Sequence, residues 1–173
     1  MQATPLPADM LERIRTAVRD NPRQLTLVLA KQLGVAELEI IRCMPRNQIV
    51  ELDLLRWEEL IRAFEGFAKI HVICSNGAVT LEAFGQFGNF STHGQFFNVQ
   101  TASLDMHIRF GQLGAVFAVE KPGHMDGVNT LSFQFFDKDG HSAFKVFVNF
   151  GGAVAPPERI ELFNSLREKM KLG

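Results

Sequence analysis

The chain has 173 residues, 46% hydrophobic and 21% charged, and a formal net charge of -1 from 18 Lys+Arg against 19 Asp+Glu. That balance excludes a disordered chain, a collagen and a coiled-coil rod, and the length suits one domain with its own core. A near-neutral chain has no global field to hold a polyanion, so nucleic-acid binding would need a local basic patch.

The first 66 residues read as helical. Met10, Ile14 and Val18 recur four apart, on one face of a helix over 9–19 that Asp20-Asn21-Pro22 stops. A second helix over 25–33 ends at Gly34, and a third over 37–43 ends before Pro45. A fourth, over 52–64, carries Leu54, Trp57, Leu60, Ile61 and Phe64 on one side. After Gly66 the period falls from 3.6 to two. The segments 70–74 and 79–81 flank Asn76-Gly77, a strong hairpin signal. Segments 104–110, 131–135 and 144–148 alternate as strands, with a turn at Asp137-Lys138-Asp139-Gly140. The run 113–119 is apolar on both faces and reads as a central, covered strand. From Pro156 the helical spacing returns, with Ile160, Phe163, Leu166 and Met170 in register. Helices, a long antiparallel meander and a closing helix make an α+β fold. We expect a single domain over 1–173, with a helical part at 1–66 and the sheet plus C-terminal helix at 67–173.

No basic segment followed by an apolar run opens the sequence, and no window approaches 18 apolar residues. The expectation is therefore no signal peptide, no membrane span and a cytoplasmic location. Cys43 and Cys74 lie far apart with no CxxC, which reads as two free thiols.

The nucleophile-elbow, P-loop, HExxH and dinucleotide-binding patterns are absent. The piece Gly85-Gln86-Phe87-Gly88-Asn89-Phe90 is weak as a phosphate loop. Residues 25–42 have helix-turn-helix spacing, but the second helix sets Glu37 and Glu39 against Arg42 alone, unfavourable beside phosphates.

The histidines are His71, His93, His107, His124 and His141, none paired at helical spacing. In the strand 104–110, Asp105, His107 and Arg109 share the face opposite Met106 and Ile108. His107 and Arg109 thus point the same way, roughly 7 Å apart. One offers an imidazole lone pair, the other a cation shaped for carboxylates. An ordinary wet sheet face would show the same spacing. The chain also holds 16 Phe and no Tyr. Wide apolar walls, an axial donor and a cation for propionates together suit haem. Tyrosine ligation is impossible, and without a CxxCH the haem would be b-type and noncovalently held. Met125 and Cys74 are further soft donors.

The ordered set Leu81-Glu82, Thr92-His93-Gly94-Gln95-Phe96, Met106-His107-Ile108-Arg109, Val116-Phe117-Ala118-Val119-Glu120-Lys121, Leu131-Ser132-Phe133-Gln134-Phe135-Phe136-Asp137-Lys138-Asp139-Gly140 and Phe144-Lys145-Val146-Phe147 resembles the haem-utilisation carrier family HutX/ChuX. The likeness covers nearly the whole chain. It implies an α+β unit similar to one half of the larger HemS/ChuS haem proteins. It also implies a cytosolic homodimer that binds haem and stores it or passes it to a haem-degrading or haem-receiving protein. By this resemblance His107 matches the histidine of a His-Ile-Lys/Arg strand, and His93 that of a His-Gly segment. The expected site is His107 on the iron, Arg109 toward a propionate or a bound water, Lys121 as a further haem contact, and Phe96 and Phe97 against the ring. His93, His71 and His124 are alternative iron ligands. Some members carry a histidine where Ser75 falls here, and their Glu-Arg-Lys becomes Glu120-Lys121-Pro122, followed by an insertion with His124 and Met125. The leading expectation is a carrier with reversible axial ligation. The alternatives are a haem-degrading enzyme on the same fold, although no flavin or nicotinamide signature is present, and a helix-turn-helix regulator.

Overall fold

The computed structural model describes residues 5–125, 128–149 and 153–173. The N-terminal helices are α1 (Ala8–Asp20), α2 (Thr26–Leu33) and α3 (Glu37–Arg42). A short strand β1 (Ile49–Glu51) precedes α4 (Trp57–Ala63), which has a 3₁₀ turn at each end. Eight further strands follow: β2 (Lys69–Ser75), β3 (Thr80–Gln86), β4 (Phe90–His93), β5 (Phe96–Gln100), β6 (Asp105–Arg109), β7 (Leu113–Pro122), β8 (Asn129–Asp137) and β9 (Ser142–Phe147). Helix α5 (Pro157–Lys169) closes the chain. This is the α+β fold that the helix–sheet–helix order predicts.

The strands form two antiparallel sheets. The larger has the order β1-β7-β8-β9-β2-β3, and the smaller the order β4-β5-β6. Both faces of the large sheet are covered in its middle, which explains the unbroken apolar run of β7. Val116 and Ala118 join Phe133, Phe135, Val72 and Val146 in one core, under α4, α5 and the small sheet. Ala115, Phe117, Val119 and Phe136 join Ile14, Leu29, Ile40 and Ile41 in a second core beneath α1–α3. Phe64 and Phe133 are 0% exposed, with ring centroids 5.1 Å apart. Truncating such a ring costs about 3–5 kcal/mol.

Helix α3 buries Glu37, Leu38, Ile40 and Ile41. The helix that would enter a DNA groove is committed to the second core. The turn before it needs Gly34 at φ +69.

Two differences from the sequence reading matter. The three residues of β1 are too few to show a period, yet they pair with Val119, Ala118 and Phe117 of β7. The stretch 84–97, expected as loops, instead holds the end of β3, all of β4 and the start of β5; Gly94 and the run Phe96-Phe97-Asn98-Val99 mask any alternation. At the start of β7 the register shifts between Leu113 and Ala115. A Cβ on Gly114 would lie 2.5 Å from the Asp137 carbonyl oxygen, so only glycine permits this close approach.

Candidate functional site

The small sheet places the chemistry. Its pairs are Ser91↔Asn98 and His93↔Phe96 between β4 and β5, and Phe96↔Arg109, Asn98↔His107 and Gln100↔Asp105 between β5 and β6. Directly opposed residues of antiparallel strands share a face. His93, Phe96 and Arg109 therefore form one row, and Ser91, Asn98 and His107 the next. The other face presents Phe90, Phe97, Val99, Met106 and Ile108 to the core.

The His107 side chain is 56% exposed. Its Nδ1 lies 2.8 Å from Asn98 Oδ1, and the Asn98 amide nitrogen donates to Ser91 Oγ at 3.1 Å. Its Nε2 lies 3.5 Å from the Asp105 carboxylate, too far for a good hydrogen bond. The Arg109 guanidinium sits 5.4 Å from the centre of the Phe96 ring, a cation–π contact that fixes the charge beside the imidazole.

A groove of about 520 Å³ runs between β6 and the β2–β3 hairpin. Val72, Cys74, Leu81, Ala83, Met106 and Phe144 line it, with His107 and Arg109 among its walls. Burial pushes the Cys74 thiol up from its ordinary value, which keeps it neutral and a weak donor. An apolar trough with one accessible imidazole and one cation at its edge has the donor set that an iron porphyrin requires: axial nitrogen, wall and counter-charge. The volume lies in the range of small-molecule sites.

The structure brings His107, Arg109, His93 and Phe96 together and separates the rest. Phe97 is a correction: it is 0% exposed, packed edge-on against Trp57 with centroids 5.2 Å apart, and has no face for a ligand. Odd and even residues of β5 face opposite ways, and Phe97 falls on the core side. Lys121 stands apart from His107 and Arg109. It lies on the opposite face of the large sheet, in a cleft of about 310 Å³ that it shares with His71, His124, Met125, Lys145 and Phe147. Burial, and the charge of Lys145, pull the Lys121 ammonium down from 10.5 to about 8. His71 stacks on Phe84 at 4.4 Å and its Nε2 meets Glu82 at 2.8 Å. The residues that sequence reasoning missed are Asn98 and Ser91. Only the strand register, a nonlocal property, reveals them.

Comparison with known proteins adds three findings. The sequence profile of the haem-utilisation ChuX/HutX family matches residues 50–166. A curated relative, the "Intracellular heme transport protein HutX" of Vibrio cholerae, is 20% identical over 163 residues, 92% of this chain and 83% of that protein. Among solved structures, an Agrobacterium tumefaciens protein superposes with a TM-score of 0.84 at 22% identity, covering 98% of this chain and all of its own. The heme-binding protein ChuX gives a TM-score of 0.78 at 19% identity, over 90% of this chain and 97% of its own. The heme-degrading enzyme ChuS of Escherichia coli O157:H7 gives 0.76 at 20% identity, over 95% of this chain but 47% of its own, so this fold equals about half of it. These structural likenesses establish the fold.

Proposed function

The chain belongs to the haem-utilisation ChuX/HutX family, and from that premise we propose that it is a cytoplasmic haem carrier binding its cargo noncovalently through His107. The observation that carries this reading is His107 itself, exposed at an apolar groove and anchored through its other ring nitrogen by Asn98. The imidazole supplies the axial bond, Arg109 pairs with a propionate, and the aliphatic and Phe144 walls cover part of the ring. Phe96 keeps the Arg109 guanidinium in place.

A carrier must release what it holds. One protein nitrogen at an open groove suits exchange, because a departing ring breaks a single axial bond and uncovers little apolar surface. The role implies a haem-receiving or haem-degrading partner. The resemblance adds a homodimer, which sedimentation of the purified chain would test. His93, in the row next to His107 on the same face, is the alternative iron ligand should His107 not be the donor.

The test is transfer. Loaded protein mixed with excess apomyoglobin should give up its haem fully, and its absorbance should survive a physiological reductant in air. Conversion to verdohaem or biliverdin would replace the carrier reading with the enzyme reading, for which the likeness to ChuS gives the fold.

A further inference from the structure

Resting on His107 as the axial ligand, we propose that Asn98 is a positioning residue that selects the tautomer of that imidazole, holding the proton on Nδ1 and leaving the Nε2 lone pair for iron. A neutral imidazole donates from one nitrogen and accepts at the other. The two nitrogens of His107 have unequal neighbours. Nδ1 faces the Asn98 amide oxygen at 2.8 Å, and Nε2 faces the Asp105 carboxylate at 3.5 Å.

Asn98 is 7% exposed and sits on the middle strand of its sheet, flanked by β4 and β6. Its amide nitrogen donates to Ser91 Oγ, which turns its oxygen toward β6. Were the His107 proton on Nε2, that sheltered oxygen would lose its donor and face a lone pair, at a cost of about 1–3 kcal/mol. Asp105 is 66% exposed and served by water, so Nε2 gives up little by standing bare. The asymmetry places the proton on Nδ1. The row Ser91–Asn98–His107 is thus a three-strand relay that turns a surface imidazole into a prepared ligand. Such outer partners of metal-bound histidines change affinity by about 10–100-fold.

The experiment reads the tautomer without haem. In ¹⁵N-labelled apoprotein at a pH where the ring is neutral, long-range ¹H–¹⁵N correlation should show His107 protonated on Nδ1. Asn98→Ala should shift it toward the Nε2-protonated form that free side chains favour. Asn98→Asp, which keeps an acceptor, should retain the Nδ1 proton. Hemin affinity should fall about 10–100-fold in Asn98→Ala and be rescued in Asn98→Asp, with melting temperature followed in each. An Nε2 proton in the wild type, or a tautomer unmoved by Asn98→Ala, would overturn the proposal. Equal hemin affinity in His107→Ala would instead remove the ligand assignment and leave the tautomer result standing, so the two failures are separable.

Discussion

Lys145 of β9 reaches the carboxylate of Glu37 on α3, 2.5 Å away, at the boundary between the helical layer and the large sheet. Thr26 of α2 donates to the same oxygen, so one buried acid ties two helices to one strand. The Glu37 side chain is 1% exposed and its second oxygen has no hydrogen-bond partner. Attraction inside a low-dielectric boundary must offset the cost of drying both charges.

That arrangement predicts an asymmetric result. Lys145→Met strands the carboxylate and should destabilise the fold by about 3–5 kcal/mol. The pair Glu37→Met with Lys145→Met removes both charges and should recover most of that loss. Urea unfolding of wild type and the two variants measures it. A double variant no more stable than the single would show that packing, not the unpaired charge, carries the effect.

Lys121 gives a pH prediction. Its folded value, about 8, lies below the ordinary 10.5. Between those values the unfolded chain binds more protons than the folded one, so the Lys121 contribution to stability rises with pH across that window. Below about 8 the full penalty of a buried ammonium is present. Lys121→Met should therefore be more stable than wild type at pH 7, and its advantage should shrink from pH 8 toward 10.5. Urea midpoints at several pH values decide it, and a pH-independent difference would contradict the burial argument.

The neighbours Phe96 and Phe97 should separate stability from binding. Phe97 contacts Trp57 and Phe90 in the core, and Phe97→Ala should cost about 3–5 kcal/mol. Phe96 lies on the half-exposed face beneath Arg109. Phe96→Ala should cost about 1 kcal/mol and act mainly on hemin affinity, by freeing the guanidinium. Equal destabilisation by the two substitutions would contradict the register described above.

Much of this was legible from local pattern. The period of four in α1 placed Ile14 and Val18 inside, and both are buried. Asn76-Gly77 marked the hairpin, and Gly77 has φ +80. The period of two put His107 and Arg109 on one face, as the pairing of β6 confirms. What stayed hidden was nonlocal. Whether Phe96 or Phe97 faces outward depends on how β5 pairs, and a one-residue slip reverses the answer. Lys121 belongs to a strand that runs on to Pro122, past the apolar run that announced it, and the face it presents follows from pairing with Thr130. The link from Asn98 to His107 crosses two strands nine residues apart. No spacing rule finds such a pair.

Titration of hemin into the apoprotein, followed by its visible spectrum, decides whether His107 holds the iron. Wild type should saturate near one hemin per chain with a shifted Soret band. His107→Ala should bind at least about tenfold more weakly or lose that shift, while His71→Ala, altered on the far face of the large sheet, should match wild type. A His107→Ala curve that overlays wild type in both spectrum and affinity would contradict the account.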